Sequence, residues 1–150
     1  MFQWRSSRMF SYGLVGIQGC CLAIILITGP WIARSPWMLA VEAGGVALGL
    51  WALIAMPRGS FAVLPDVRPT CQLATHGPYR YVRHPMYTAV LLATAALVID
   101  TWSIGRGITW AILCADLLVK LSAEEQALQA RFPEYATYRR RTARLVPFVF

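Results

Sequence analysis

The groups best suited to chemistry fall in two short segments. The first is His76-Gly77-Pro78-Tyr79-Arg80-Tyr81-Val82-Arg83-His84-Pro85-Met86-Tyr87, which sets arginines, histidines and three tyrosines around a Gly-Pro turn at the start of an apolar run. Proline is tolerated at the first position of a helix and biases the residue before it toward an extended backbone, so a helix is expected to open at Pro85. Its free N–H groups would then point toward Arg83 and His84, a natural seat for a carboxylate. The second segment is Lys120-Leu121-Ser122-Ala123-Glu124-Glu125. Lys120 and Glu124 stand one helical turn apart, the spacing of an ordinary ion pair. Adjacent Glu124 and Glu125 point to different sectors of a helix, so one can pair with Lys120. The other can turn toward the loop, where a carboxylate accepts hydrogen bonds from a ribose or an amino group. A basic, tyrosine-rich collar at a membrane interface would explain single residues of the first segment, but it has no need of a Gly-Pro turn, a His-Pro helix start and tyrosines at set offsets. The histidines are too far in sequence from cysteine or carboxylate partners to indicate a metal, and the cysteines show no C-x-x-C spacing.

The elements that must position these groups are apolar. Of the 150 residues 57% are hydrophobic and 14% charged, too apolar a balance for a soluble domain of this size. Uncharged runs point to about four transmembrane helices, near 10–32, 37–56, 85–101 and 104–121, with a loop at 57–84 and a tail at 122–150. The expected fold is a single all-α integral membrane domain over 1–150. Asp116, inside the fourth run, is costly unless paired, and Lys120 lies within reach one turn later. Leu117, Leu121, Leu128, Phe132 and Tyr135 recur at helical spacing, so the fourth helix is expected to continue as an amphipathic extension until Pro133 interrupts it. A short helix can then open at Pro133-Glu134-Tyr135 and end in Arg139, Arg140 and Arg141. Because spans three and four form a hairpin, the loop and the tail are expected to meet. Arg5 and Arg8 precede an apolar stretch, but Thr28-Gly29-Pro30-Trp31 offers no small-x-small cleavage site, so the first span is read as retained.

Charge placement sets orientation. Arg58, Arg68, Arg80, Arg83, Lys120, Arg131 and the tail arginines fall with Arg5 and Arg8 on one side of a four-span arrangement, leaving Arg34 and Arg106 opposite. Both termini and the two segments are therefore expected on the cytoplasmic side, in a bacterial inner membrane, with Trp31, Trp37 and Trp102 at the outer interface. The positive-inside bias accounts for the net charge of +7 without nucleic-acid binding. Arg139 to Arg141 suit a surface of anionic lipid. Glu42 to Gly49 has a faint likeness to the glycine-rich turn of soluble methyltransferases, but it lies in an apolar span with no strand before it. Gly45 and Gly49 are better read as a small-xxx-small pair that lets helices approach.

Taken together, Gly-Pro-Tyr-Arg-Tyr-x-Arg-His-Pro-x-Tyr, a helical hairpin, and then Glu-Glu-x-x-Leu-x-x-x-Phe-x-x-Tyr-x-x-Tyr resemble the isoprenylcysteine carboxyl methyltransferase and phospholipid methyltransferase superfamily. The resemblance runs from Leu64 to Pro147, with Arg-His-Pro-x-Tyr its most specific part. It implies a membrane enzyme that binds S-adenosylmethionine at the cytoplasmic face and methylates a lipophilic acceptor, an isoprenylcysteine-like carboxylate or a phospholipid amine. By that likeness Gly77, Tyr79, Arg83, His84, Tyr87, Glu124 and Glu125 match cofactor-pocket positions, with His76 opening the same segment. Lys120 and Glu125 are the candidates for catalytic work. Members that act on prenylcysteine carboxylates are similar to one another in carrying arginine ahead of the Glu-Glu pair, where this chain has Lys120. Lysine neutralises a carboxylate but cannot hold it in two places. The competing expectations are an NADPH-dependent membrane reductase of the sterol reductase type and a non-enzymatic accessory protein of the membrane.

Overall fold

The computed structural model describes residues 8–57 and 72–147. Arg5, Arg58, Arg68 and Cys71, which entered the charge and cysteine arguments, lie outside the described residues, as does the side chain of Arg8.

Five α-helices and one short turn of 3-10 helix make up the regular structure of the described residues. Helix α1 (Arg8–Ile27) gives way at Thr28-Gly29-Pro30, where proline supplies no N–H to continue it. Helix α2 (Pro36–Ala55) starts with proline in its first turn, and the Ser35 hydroxyl accepts from the N–H of Met38 at 3.4 Å. The 3-10 turn Gly77–Arg80 leads to α3 (Pro85–Asp100), which opens at Pro85 as the His-Pro pair predicts. Ser103 caps α4 (Ile104–Arg131), and α5 (Tyr135–Arg141) follows Pro133.

Helix α3 packs along α2 and also touches α1 and α4, while α1 lies along α4. The α2–α3 approach depends on glycine: a Cβ at Gly45 would sit 2.8 Å from the backbone nitrogen of Ala93, and one at Gly49 would sit 3.3 Å from the Cβ of Ala89. The pair thus serves helix packing. Cys21, Ile25, Leu97, Val98, Leu113 and Leu117 form the core among α1, α3 and α4.

Much apolar surface faces outward. Met9–Ile27 and Pro36–Ala55 are long and apolar enough to cross a membrane, and α3 is a shorter apolar helix. Ile24, Ile27, Val46, Leu50 and Ile54 point away from the bundle, an arrangement that suits lipid rather than water. Helix α4 changes character along its length. Ile104, Ile108, Ile112, Leu118 and Val119 are exposed up to Lys120, whereas beyond it the exposed positions are Gln126, Gln129, Ala130 and Arg131.

Lys120 itself is almost fully buried. Its ammonium lies 3.6 Å from the Asp116 carboxylate and donates to the side-chain carbonyl of Gln18 on α1. The anticipated Asp116–Lys120 pair therefore forms. The anticipated Lys120–Glu124 pair does not: among the described residues no ion pair joins them, because Lys120 turns toward α1 while Glu124 turns toward the loop.

Sequence reasoning assigned Arg106 to the outer side as a topology marker, yet its side chain is buried. Its guanidinium donates to the carbonyls of Ile25 at 2.8 Å and Leu97 at 2.8 Å and to the Thr28 hydroxyl at 3.0 Å. Those carbonyls belong to the last turns of α1 and α3, which lack partners further along their own helices. A side chain at Gly29 would run into this guanidinium. Nearby, Asp100 accepts from the N–H groups of Arg34 at 2.7 Å and Ser35 at 3.0 Å, and Glu42 accepts from Ala33 at 2.8 Å. Trp31, Trp37 and Trp102 are exposed around this same end.

Candidate functional site

At the opposite end the loop and the tail meet. Gly77 has φ +60, a conformation that L side chains rarely adopt, and a Cβ there would lie 2.7 Å from that of Ala55 and 3.3 Å from the Trp51 indole nitrogen. Glycine is therefore required to lay the 3-10 turn against the end of α2. The chain then extends, and Val82 pairs in parallel with Ala143 of the tail. The N–H of Arg83 donates to Ala143 at 2.9 Å, that of Ala143 to Tyr81 at 3.0 Å, and that of His84 to Arg144 at 3.2 Å. The Thr88 hydroxyl donates to the carbonyl of Leu145 at 2.7 Å, and that of Tyr138 to Tyr79 at 2.7 Å. Five bonds thus fix the returning tail across the mouth of α3.

Within this frame Glu125 is the hub. Arg83 Nε donates to its Oε1 at 2.8 Å, and Arg144 Nε donates to its Oε2 at 3.1 Å with Nη2 at 3.0 Å. His84 Nε2 lies 3.4 Å from Oε1. Arg83 also donates through Nη1 to the carbonyls of Arg139, at 3.1 Å, and Thr142. Its neighbour Glu124 accepts from the Tyr87 hydroxyl and places Oε2 3.6 Å from His84 Nδ1. The His84 and Tyr87 rings stack at 5.7 Å between centroids. The two glutamates therefore both turn toward the loop, rather than one of them toward Lys120.

Their environments separate their acidities. Burial works to raise the Glu125 carboxyl, but His84, Arg83 and Arg144 together hold it well below the usual carboxylate range. For Glu124 burial prevails and pushes the carboxyl up, with His84 and the Tyr87 hydroxyl offsetting only part of it. Burial also raises the phenols of Tyr79 and Tyr135, and pushes Tyr138 up to about 12.

Among the described residues three buried polar atoms of this region find no well-formed hydrogen bond: the hydroxyls of Tyr79 and Tyr135, and Nε2 of His84, which meets Glu125 only at 3.4 Å. Buried polar groups are nearly always satisfied, and an unsatisfied set beside a charged network indicates a place for a polar ligand.

Of the residues singled out from sequence, Arg83, His84, Tyr87, Glu124 and Glu125 form one network. Tyr79 lies outside it, its backbone carbonyl accepting from Tyr138 of α5. Gly77 has a conformational task, His76 is exposed beside Thr75, and Lys120 is directed to α1 and Asp116. Sequence reasoning missed Arg144, the second cation on Glu125. Nothing in the spacing marks it, since its place depends on the parallel return of the tail.

Apolar helices long enough to cross a membrane thus carry a loop-and-tail network of charged groups at one end. Residues 38–130 match the isoprenylcysteine carboxyl methyltransferase (ICMT) family. The chain belongs to this family. Among curated proteins it is similar to the cobalt-zinc-cadmium resistance protein CzcN of Cupriavidus metallidurans, with 32% identity over 124 residues, 79% of this chain and 52% of that protein. It is also similar to the nickel-cobalt-cadmium resistance protein NccN of Alcaligenes xylosoxydans xylosoxydans, with 30% identity over 125 residues, 83% of this chain and 58% of that protein. The chain thus spans a little over half the length of each of these relatives.

Proposed function

We propose that this protein is an S-adenosylmethionine-dependent methyltransferase that spans the membrane about four times, with both termini cytoplasmic, and methylates a lipophilic acceptor. The observation that carries the reading is a buried network of both signs, Arg83, Arg144 and His84 against Glu124 and Glu125, bordered by three unsatisfied polar atoms.

These residues fit the donor's chemistry. The amino-acid end of S-adenosylmethionine carries a carboxylate and an ammonium, and its ribose carries hydroxyls. Arg83, Arg144 and His84 would hold the carboxylate, and Glu124 would accept from the ammonium or the ribose. Bound there, S-adenosylmethionine supplies an electrophilic methyl group whose transfer discharges a sulfonium. The protein's part is to hold, orient and exclude water. In-line transfer needs a positioned donor and acceptor more than it needs covalent help, and a secluded charged site strengthens each clamping bond. Glu125 is occupied by two guanidiniums and Glu124 by Tyr87, so neither stands free to deprotonate an alcohol. A carboxylate, thiolate or neutral amine suits such a site better. The outward apolar faces of the helices provide the lipophilic approach. Lys120 has no part in this reading because its ammonium is engaged away from the loop.

Titrating the purified protein with S-adenosylhomocysteine and with NADPH tests it. Binding of the first is expected. Binding of NADPH alone would make the protein a reductase, and binding of neither would favour an accessory role. A methyl-label screen of lipid extracts then identifies the acceptor.

A further inference from the structure

Beside the Glu125 network the surface opens into a groove of about 500 Å³ between the 3-10 turn and α5. Arg80, Arg83, Arg139, Arg140, Arg141 and Arg144 all line it, and no carboxylate of the described residues does. Arg83 and Arg144 face backward onto Glu125. The side chains of Arg80, Arg139, Arg140 and Arg141, in contrast, take part in no ion pair or hydrogen bond with any described residue. Four guanidiniums gathered with no counter-ion among the described residues repel one another. An anion that meets several of them at once relieves that repulsion and gains charge-assisted, bidentate bonds.

The position of the groove indicates where the anion comes from. The 3-10 turn on one side of it rests against the end of α2 through Gly77 and leads into the start of α3. Tyr81 and Pro147 belong to its lining, and Tyr81 and Val146 are half exposed there. An aromatic and an aliphatic group beside a ring of arginines match the boundary between acyl chains and headgroups.

We propose that this groove binds the phosphate headgroup of an anionic membrane phospholipid. The lipid's phosphodiester lies among Arg80, Arg139, Arg140 and Arg141, and its chains follow the outward face of the adjacent helices. A discrete headgroup seat differs from diffuse attraction of the arginine run to a charged surface, because it saturates at one lipid per protein. It does not depend on methyltransferase activity or on donor binding.

The test uses the full chain, purified in neutral detergent, and follows intrinsic tryptophan and tyrosine fluorescence on addition of short-chain phosphatidylglycerol, short-chain phosphatidylcholine or inorganic phosphate. Saturable binding of phosphatidylglycerol is expected, about tenfold or more tighter than that of phosphatidylcholine. The combined variant Arg80→Gln, Arg140→Gln, Arg141→Gln is expected to lose that preference while keeping the parent's melting temperature and its affinity for S-adenosylhomocysteine. Native mass spectrometry should show one retained phosphatidylglycerol in the parent and none in the variant. Equal affinity for the two lipids, or an unchanged preference in the folded variant, would overturn the proposal. Inorganic phosphate binding as tightly as phosphatidylglycerol would overturn it too, assigning the groove to a free anion. If the triple variant does not fold, Arg140→Gln alone carries the same comparison with a smaller shift. Loss of homocysteine-derivative binding in the parent would count against the methyltransferase reading and leave the lipid result standing.

Discussion

The two ends of the helical bundle both bury charge, but they satisfy it differently. At the end that carries Trp31, Trp37 and Trp102, charged side chains are consumed by backbone: Arg106 by the carbonyls of Ile25 and Leu97, Asp100 by two N–H groups, Glu42 by one. Such charges complete helix termini and loops that would otherwise be left with orphan groups. At the other end charged side chains face one another, and Tyr79, His84 and Tyr135 each keep a buried polar atom in reserve. Arg106 also leaves its Nε unbonded, but that atom stands alone among filled partners. Saturation by backbone is what a structural end requires, whereas the unsaturated cluster of both signs is the candidate site that the proposed function puts to work.

The contrast breaks first if stability and binding fail to separate. Replacing Arg106 with Leu should cost roughly 3 kcal/mol, since hydrogen bonds to charged groups contribute about 1.5–3 kcal/mol each, the Ile25 carbonyl loses its partner and that of Leu97 keeps only the Thr101 hydroxyl. Unfolding in detergent would read this as a lower midpoint. Gly29→Ala, which displaces the same guanidinium, should act in the same direction. The folded fraction of either variant should keep the parent's affinity for S-adenosylhomocysteine, and a matching fall in affinity would show that the two ends are not independent.

At the working end the order reverses. Arg83→Ala is expected to weaken S-adenosylhomocysteine binding by about 10- to 100-fold, the equivalent of one secluded charge-assisted interaction. Arg140→Ala, on a solvent-exposed position, should change it by less than about 2-fold. Equal losses in both would mean that a diffuse basic patch, and not a pocket, binds the donor.

The difference between the ends also explains what the sequence made legible. The helices follow from apolar runs and proline positions, all local signals. The Arg83, His84, Tyr87, Glu124 and Glu125 network was legible because each half sits in a dense motif and a hairpin brings the halves together. Arg144 was not, since it reaches Glu125 only through the pairing of Val82 with Ala143, which leaves no periodicity behind. Arg106 was placed at the right end, but its burial was not legible, because it depends on where two other helices end. Lys120 looked like Glu124's partner because spacing alone offered Glu124 as well as Asp116, and the orientation of α4 against α1 decided for Asp116.

Acidity sharpens the comparison within the working end itself. Glu125 has its folded carboxyl below the ordinary 4.5, so its stabilising contribution is present above that value and is lost as pH falls through the folded one. Glu124 is shifted upward, so its contribution is present below 4.5 and is lost as pH rises through its folded value. Glu125→Gln should therefore be less stable than the parent at neutral pH, with the gap closing under acid conditions. Glu124→Gln should be level with the parent or more stable at neutral pH, with any advantage fading as pH falls. Melting curves from about pH 2 to pH 8 would show the two slopes. Slopes of the same sign would mean that both carboxylates serve the same structural pairing.

The smallest effects make the finest distinction, between a tyrosine that is bonded and one that is not. The Tyr138 hydroxyl donates to the carbonyl of Tyr79 at 2.7 Å and so ties α5 to the 3-10 turn. Tyr138→Phe should cost about 1 kcal/mol, the net value of a neutral hydrogen bond plus part of the cost of leaving a carbonyl short of a partner. The Tyr79 hydroxyl has no partner among the described residues, although it is buried. Removing it in Tyr79→Phe deletes an unsatisfied polar atom and leaves no group behind unpaired, so stability should hold or rise slightly. If that hydroxyl is kept in reserve for the donor, the same variant should bind S-adenosylhomocysteine a few-fold more weakly, while Tyr138→Phe binds it nearly as the parent does. The two substitutions remove the same atom type from neighbouring phenols, so crossing melting temperature against affinity separates a bond that holds the site together from a group that waits for its ligand. A Tyr79→Phe variant that loses stability and keeps full affinity would place Tyr79 with the structural groups and leave His84 and Tyr135 as the atoms in reserve.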